Sequence, residues 1–283
     1  MIEELGWFTG SGGWRLRARS WLDPASPPHA VIALLHGGAE HSGRYQHTAR
    51  RFTDAGFRVD AFDQRSHGAS ERVRGVGLQI ERFDDLLDDT AAWLDHRRAE
   101  QPDLPVFVVA HSMGALIAIT LAARQRLAVD GLVTLGAALT VIAPKAFARA
   151  AQLAASDPDA IVHRVPPGGS EDSTRDPAMR AVALADPLHA DVEGVPARFL
   201  AEVARITGEV ADELEQVRVP LLAVHGTADK MADPARSVEL VERAGSTDKT
   251  LHLVEGGWHS LLRDLERATT EDVILNWIND RLV

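Results

Sequence analysis

The feature that most constrains the fold is an alternation of short, wholly apolar runs with longer stretches of helical spacing. Val31–Leu35 (VIALL), Phe57–Phe62, Val106–Ala110 (VFVVA) and Gly131–Leu135 read as strands. Ser42–Ala55, closed by Gly56, Ile80–Ala99 and Met113–Gln125 read as the helices between them. Runs that are apolar throughout, rather than at every second residue, belong to strands buried on both faces, and such strands form parallel sheets covered by helices. Ahead of this pattern, residues 6–8 and 14–21, joined by Thr9–Gly13, predict an antiparallel hairpin. Behind it the alternation stops. From Gly136 to about Gln216 there is no convincing strand, only helical stretches such as Pro144–Ala155 and Pro196–Val210. It resumes at Pro220–Val224 and Thr250–Val254 and closes on a helix, Glu271–Leu282. The expectation is an α/β fold with a mostly parallel, doubly wound sheet in two parts, 1–136 and 217–283. A helical segment, 137–216, is inserted as a cap between two sheet strands.

Such sheets bind ligands outside the carboxyl ends of their strands, and the polar clusters of this chain fall there. His36-Gly37-Gly38 follows the first apolar run, Asp63-Gln64-Arg65-Ser66-His67-Gly68 the second, and Ser112 the third, in the turn AHSMGA. Asp229 (HGTAD) and His259 (GGWH) follow the two late strands. A small-x-Ser-x-Gly turn alone is common, so the weight lies in what accompanies it. A serine becomes nucleophilic at neutral pH when an imidazole takes its proton, and an ionised carboxylate holds that imidazole in the right tautomer. His259 is the candidate base and Asp229 the candidate acid. Asp233, followed by Pro234, reads instead as a helix N-cap with proline at the first helical position; Asp264 is a second rival. An oxyanion needs two backbone N–H donors, and Gly38 and Met113 stand where these are expected. Asp63, Arg65 and His67 read as a hydrogen-bonded structural loop. Ser42 reads as a helix cap. The chain has no cysteine, which excludes thiolate catalysis and Cys-ligated zinc. His36, His41 and His67 lack the spacing of a zinc motif, so no metal and no cofactor is expected.

The order Ser112, Asp229, His259 on strand–turn–helix scaffolding is that of an α/β-hydrolase triad. HGGAEHSGRY, FDQRSHGAS, AHSMG, DPLH, HGTADKMADP and GGWHSLL resemble the landmarks of bacterial monoacylglycerol lipases and related lysophospholipase-like serine hydrolases. The resemblance covers nearly the whole chain and is weakest over 137–175. Ala110 and Ala115 stand where that family often has glycine, and Ser66 stands where glycine is usual. The resemblance implies an α/β-hydrolase fold and a serine ester hydrolase acting on a small-molecule ester with an acyl chain, monoacylglycerol above all. It also implies an acyl channel under the cap, on which the helix stripe Phe199, Val203, Ile206 and Val210 would lie, with Phe199, Val203 and Ile206 the substrate-binding candidates.

Rival readings are a lysophospholipase, thioesterase or acyltransferase using the same triad, and a non-catalytic receptor on the same fold. A haloalkane dehalogenase or epoxide hydrolase is disfavoured because serine, not aspartate, occupies the turn. A net charge of −11 repels nucleic acid and anionic membrane surfaces, so any membrane contact is expected to be weak, apolar and made through the cap. No apolar run is long enough to span a bilayer, and the acidic start MIEEL does not resemble a secretory signal. A cytoplasmic location is therefore expected. The oligomeric state is open.

Overall fold

A computed structural model describes residues 1–72, 77–140, 144–166, 169–190 and 194–282. The chain opens with β1 (Ile2–Thr9) and β2 (Arg15–Leu22), followed by β3 (Val31–Leu35), α1 (Gln46–Asp54), β4 (Arg58–Phe62), α2 (Asp84–Glu100), β5 (Val106–His111), α3 (Met113–Ala123) and β6 (Gly131–Leu135). The inserted segment holds α4 (Pro144–Leu153), β7 (Ile161–Arg164), α5 (Pro177–Ala185), α6 (Pro187–Ala190), β8 (Gly194–Pro196) and α7 (Ala197–Ala211). The chain returns to the sheet with β9 (Leu221–Gly226), α8 (Pro234–Arg243), β10 (Lys249–Val254) and α9 (Arg267–Asn279).

An eight-stranded sheet runs in the order β1-β2-β4-β3-β5-β6-β9-β10. The hairpin joins antiparallel to β4, and every pairing from β4 onward is parallel. β3, β5, β6 and β9 are buried at every residue, as unbroken apolar runs require. α3 is also buried at every residue, because α2 and α7 cover the side that the sheet does not. The insertion thus contributes α7 to the main core. Among the described residues no helix is long and apolar enough to cross a membrane.

Three expectations need correction. The insertion does contain strands: β7 and β8 pair antiparallel. They are four and three residues long and partly exposed, too short to show a period of two. The helix expected from Ile80 begins at Asp84, with Ile80 buried in the loop before it. Ser42 does not cap a helix. It is the first residue of a 3₁₀ turn, Ser42–Tyr45, and its hydroxyl is spent on the Asp63 carboxylate while accepting from Arg19 Nε at 3.0 Å.

Candidate active site

β5 delivers Ser112 into a sharp turn that no relaxed residue would choose. Its φ of 51° and ψ of −114° lie outside the ordinary regions, and the strain lifts the side chain clear of the backbone. The turn is held from both sides: Ser112 N–H donates to Leu135 O at 2.9 Å, and Ser112 O accepts from Leu116 N at 3.1 Å. Gly114 makes the geometry possible. A Cβ there would meet Leu35 O at 2.6 Å and His36 O at 2.7 Å, so only glycine lets α3 start this close to the end of β3. Ala110 and Ala115, both fully buried, meet no such demand.

His259 Nε2 lies 2.9 Å from Ser112 Oγ, and His259 Nδ1 lies 2.8 Å from Asp229 Oδ2. The carboxylate can only accept, so Nδ1 carries the ring proton and Nε2 is left to accept the serine hydroxyl. The imidazole reaches the serine because the turn after β6 gives way to it. Gly136 has φ of 52°, and a Cβ on it would stand 3.2 Å from His259 Nδ1 and 2.9 Å from His259 O. His259 is buried and Ser112 half-buried. Burial pushes the Asp229 pKa upward, but hydrogen bonds from His225 and His259 outweigh it and hold the carboxyl well below the usual carboxylate range.

The rival acids are committed elsewhere. Asp233 caps α8, accepting from Ala235 N at 3.0 Å with Pro234 following. Asp264 accepts from Trp258 N at 2.9 Å and from Arg175 Nε at 2.9 Å, which pins the loop carrying His259. Of the three acids, only Asp229 meets the imidazole.

The loop after β4 has the partners of a structural element. Asp63 accepts from Ser42 N and Ala69 N, each at 2.9 Å, and Arg65 Nε donates to Asp89 at 3.0 Å. Ser66 sits at φ of 61°, a left-handed position that glycine would adopt without strain. His36 donates from Nδ1 to Gly37 O and accepts from Gln64 N at Nε2, while His41 pairs with Asp186 at 2.7 Å and His67 Nδ1 donates to Arg65 O.

Below Ser112 lies a buried network that sequence reasoning missed. The Glu40 carboxylate accepts from Gly37 N at 2.7 Å, from Tyr45 Oη at 2.5 Å and from Arg263, and it meets His111 Nδ1 at 2.8 Å. Burial pushes Glu40 up, yet Arg263 and His111 hold it well below the usual range. This carboxylate ties the Gly37-Gly38 turn to the loop bearing His259. The sequence signal was the string EHSGRY, which reads as a helix start until Tyr45 and Arg263 are seen to converge on its glutamate.

A cavity of about 350 Å³ opens over Ser112 and His259. Gly38 and Met113 border it, and a Cβ on Gly38 would lie 3.8 Å from Met113 Sδ. Met113 opens α3, where a helix's first N–H groups have no intrahelical acceptor. Phe199 and Val203 line one wall together with Leu200, which the stripe reading left out. Ile206, expected beside them, is not on the wall. It is fully buried in the core, one turn too far along α7 to reach the cavity.

The family model described as "Serine aminopeptidase, S33" matches residues 26–266. The monoacylglycerol lipase of Mycolicibacterium smegmatis is 31% identical over 97% of this chain and 96% of its own length. The monoglyceride lipase of Homo sapiens is 30% identical over 99% of this chain and 91% of its own. Among solved structures, the monoacylglycerol lipase of Paleococcus ferrophilus superposes with a TM-score of 0.78 at 25% identity, covering 94% of this chain and 99% of that one.

Proposed function

The chain belongs to the α/β-hydrolase family described as "Serine aminopeptidase, S33" and is a hydrolase of lipid esters, and from that premise we propose that it cleaves single-chain lipid esters, monoacylglycerol first among them, through an acyl-enzyme on Ser112. The observation that carries the proposal is the unbroken chain Ser112–His259–Asp229, at 2.9 and 2.8 Å, on the floor of a cavity with an apolar wall. In this reading Ser112 Oγ attacks the ester carbonyl while His259 Nε2 takes its proton, and the N–H groups of Gly38 and Met113 receive the oxyanion. Asp229, held ionised, stabilises the imidazolium. His259 then gives its proton to the leaving alcohol, and a water activated by the same ring releases the acid. Residues 137–216 serve as the cap, and Phe199, Leu200 and Val203 hold the acyl chain.

The family description also raises peptide cleavage from a free amino terminus. That chemistry needs a carboxylate free to hold an ammonium group. Among the described residues, the carboxylates on the cavity wall are Glu40 and Asp172; Glu40 is occupied by the donors described above, and Asp172 pairs with Lys230 at 3.2 Å. Both favour the ester.

The test combines a fluorophosphonate probe with a substrate panel of monoacylglycerols, lysophospholipids, acyl-CoAs and p-nitrophenyl esters. The probe should label the protein once, at Ser112, and Ser112→Ala should lose both labelling and turnover. An active alanine variant, or labelling at another residue, would end the mechanism, and preference for an acyl-CoA would replace the substrate class.

A further inference from the structure

Asp229 Oδ2 is shared. It accepts from His259 Nδ1 at 2.8 Å and also meets His225 Nε2 at 3.1 Å. The other oxygen, Oδ1, accepts from Met231 N at 2.7 Å and Ala232 N at 3.0 Å. His225 stands near the end of β9 with a fully buried side chain, and its Nδ1 lies 2.7 Å from Ser237 Oγ on α8, which is buried in turn. An imidazole is a poor choice for filling core space, because two ring nitrogens must be satisfied away from water. Here each has one partner, and one of those partners is the acid of the proposed triad.

The proton positions follow from the acceptor. An ionised carboxylate cannot donate, so His225 Nε2 carries hydrogen; a neutral ring then leaves Nδ1 as an acceptor, and the Ser237 hydroxyl donates to it. The chain Ser237–His225–Asp229–His259–Ser112 is therefore arranged symmetrically about one carboxylate oxygen. We propose that His225 is a positioning residue for ester hydrolysis, holding Asp229 Oδ2 in place and moderating its basicity, with Ser237 locking the His225 tautomer. The proposal rests on reading Ser112, His259 and Asp229 as the reacting machinery. When His259 becomes an imidazolium its Nδ1–H pulls harder on Oδ2. The opposing N–H of His225 keeps that oxygen from swinging out of line and lowers its tendency to take the proton.

Steady-state kinetics on a short p-nitrophenyl ester test this, with active enzyme counted by fluorophosphonate titration. His225→Leu should lower kcat per titrated site by roughly ten- to hundredfold, what one hydrogen bond to a charged group is worth, at nearly unchanged KM. The acid limb of kcat should move to higher pH, because the whole carboxylate charge then falls on His259. Among the described residues, the other titratable groups facing that ring are His111, with its centroid 4.9 Å away, and Glu40 and Arg263 behind it; all stay unchanged in these variants. His225→Gln places an amide N–H toward Oδ2 and an amide oxygen toward Ser237, and should restore most of kcat and the limb. Ser237→Ala should cost a few-fold.

A role in packing alone would lower the melting temperature or the titratable fraction while leaving per-site kcat and the acid limb at wild-type values, and that result overturns the proposal. Should His225→Leu fail to fold, Ser237→Ala decides on the same readouts, since it keeps the ring and frees its tautomer. Turnover surviving in Ser112→Ala would sink the reading of the site itself. Turnover lost in Ser112→Ala but unaltered in His225→Leu would sink only the role given to His225.

Discussion

Asp229 shows how a single residue's function is set by what surrounds it. Two oxygens meet four donors: two backbone N–H groups on one side and two imidazoles on the other. Asn in its place would keep its carbonyl toward Met231 N and Ala232 N, which turns its NH₂ toward both rings. His259 would then be pushed into the wrong tautomer, with its proton on the nitrogen that should face Ser112. Asp229→Asn is expected to fold normally yet lose activity on the order of ten-thousand-fold, the loss seen for the equivalent change in a serine protease. Asp233→Asn should stay within a few-fold of wild type, since asparagine also caps a helix. Measuring kcat and melting temperature for both settles the assignment; the opposite ranking would make Asp233 the acid. Asp229 could be put forward as the acid from HGTAD and chain order alone. Its sharing with His225 could not, because nothing in the spacing of His225 and Asp229 says that the two side chains turn to the same point.

At the scale of an element, α7 divides its own apolar stripe between two tasks. Phe199 and Val203 reach the cavity wall, while Ile206 and Val210, further along, are fully buried in the core. A periodicity of 3.6 predicts which face is buried. It cannot say where along that face the core ends and a cavity begins, because that depends on how α7 crosses α3. Phe199→Asp should therefore depress hydrolysis of long-chain esters while short p-nitrophenyl esters are still cleaved. Ile206→Ala should cost about 2–5 kcal/mol of stability, as truncation of buried isoleucine does, and leave the chain-length profile unchanged. Rates on C4 to C16 esters beside thermal melts would separate the two. Equal loss on all chain lengths from Phe199→Asp, with a lowered melting temperature, would place Phe199 in the core instead. β7 and β8 show the same limit in a smaller element: three or four residues carry too little pattern to announce a strand that only its partner creates.

Over the whole molecule, buried titratable groups set how stability responds to acid. Burial lowers the pKa of His36 and His111, and burial together with the neighbouring His36 takes His67 to about 3. In the unfolded chain each of these would bind a proton near pH 6.5. Below that pH the unfolded state holds more protons than the folded one, so stability is full above about 6.5 and declines as pH falls, by up to about 1.4 kcal/mol per unit for each such group. Glu40 and Asp229, held below the carboxylate range, add a second loss once pH drops through about 4, where their unfolded counterparts protonate. Asp60, Asp89 and Glu271 are displaced the other way by burial, so their folded forms take up protons before pH has fallen to about 4 and offset part of the first decline, not of the second. Melting temperature should thus be level from pH 8 to 7, fall from 6.5 to 5, and fall further below about 4.5. A level profile down to pH 5 would mean that these histidines protonate within the fold.

The sequence by itself determined the parallel sheet, and it supplied as expectations the inserted cap and the three residues of the proposed triad. Each of these is a local matter: an unbroken apolar run, a loss of alternation, a polar residue in the turn after a strand. Tertiary structure alone decided which groups meet. Glu40 touches Arg263 across more than two hundred residues of chain, Gly136 stands aside for His259, and Ser237 on α8 meets His225 on β9, which in turn meets Asp229. The physical reason is that a strand's register and a helix's crossing angle fix side-chain positions to within an ångström, and hydrogen bonds are sensitive at that length. Residue pattern constrains position only to an element and a face. The candidate site was therefore readable as a set of residues, and its supporting shell became readable only as a set of distances.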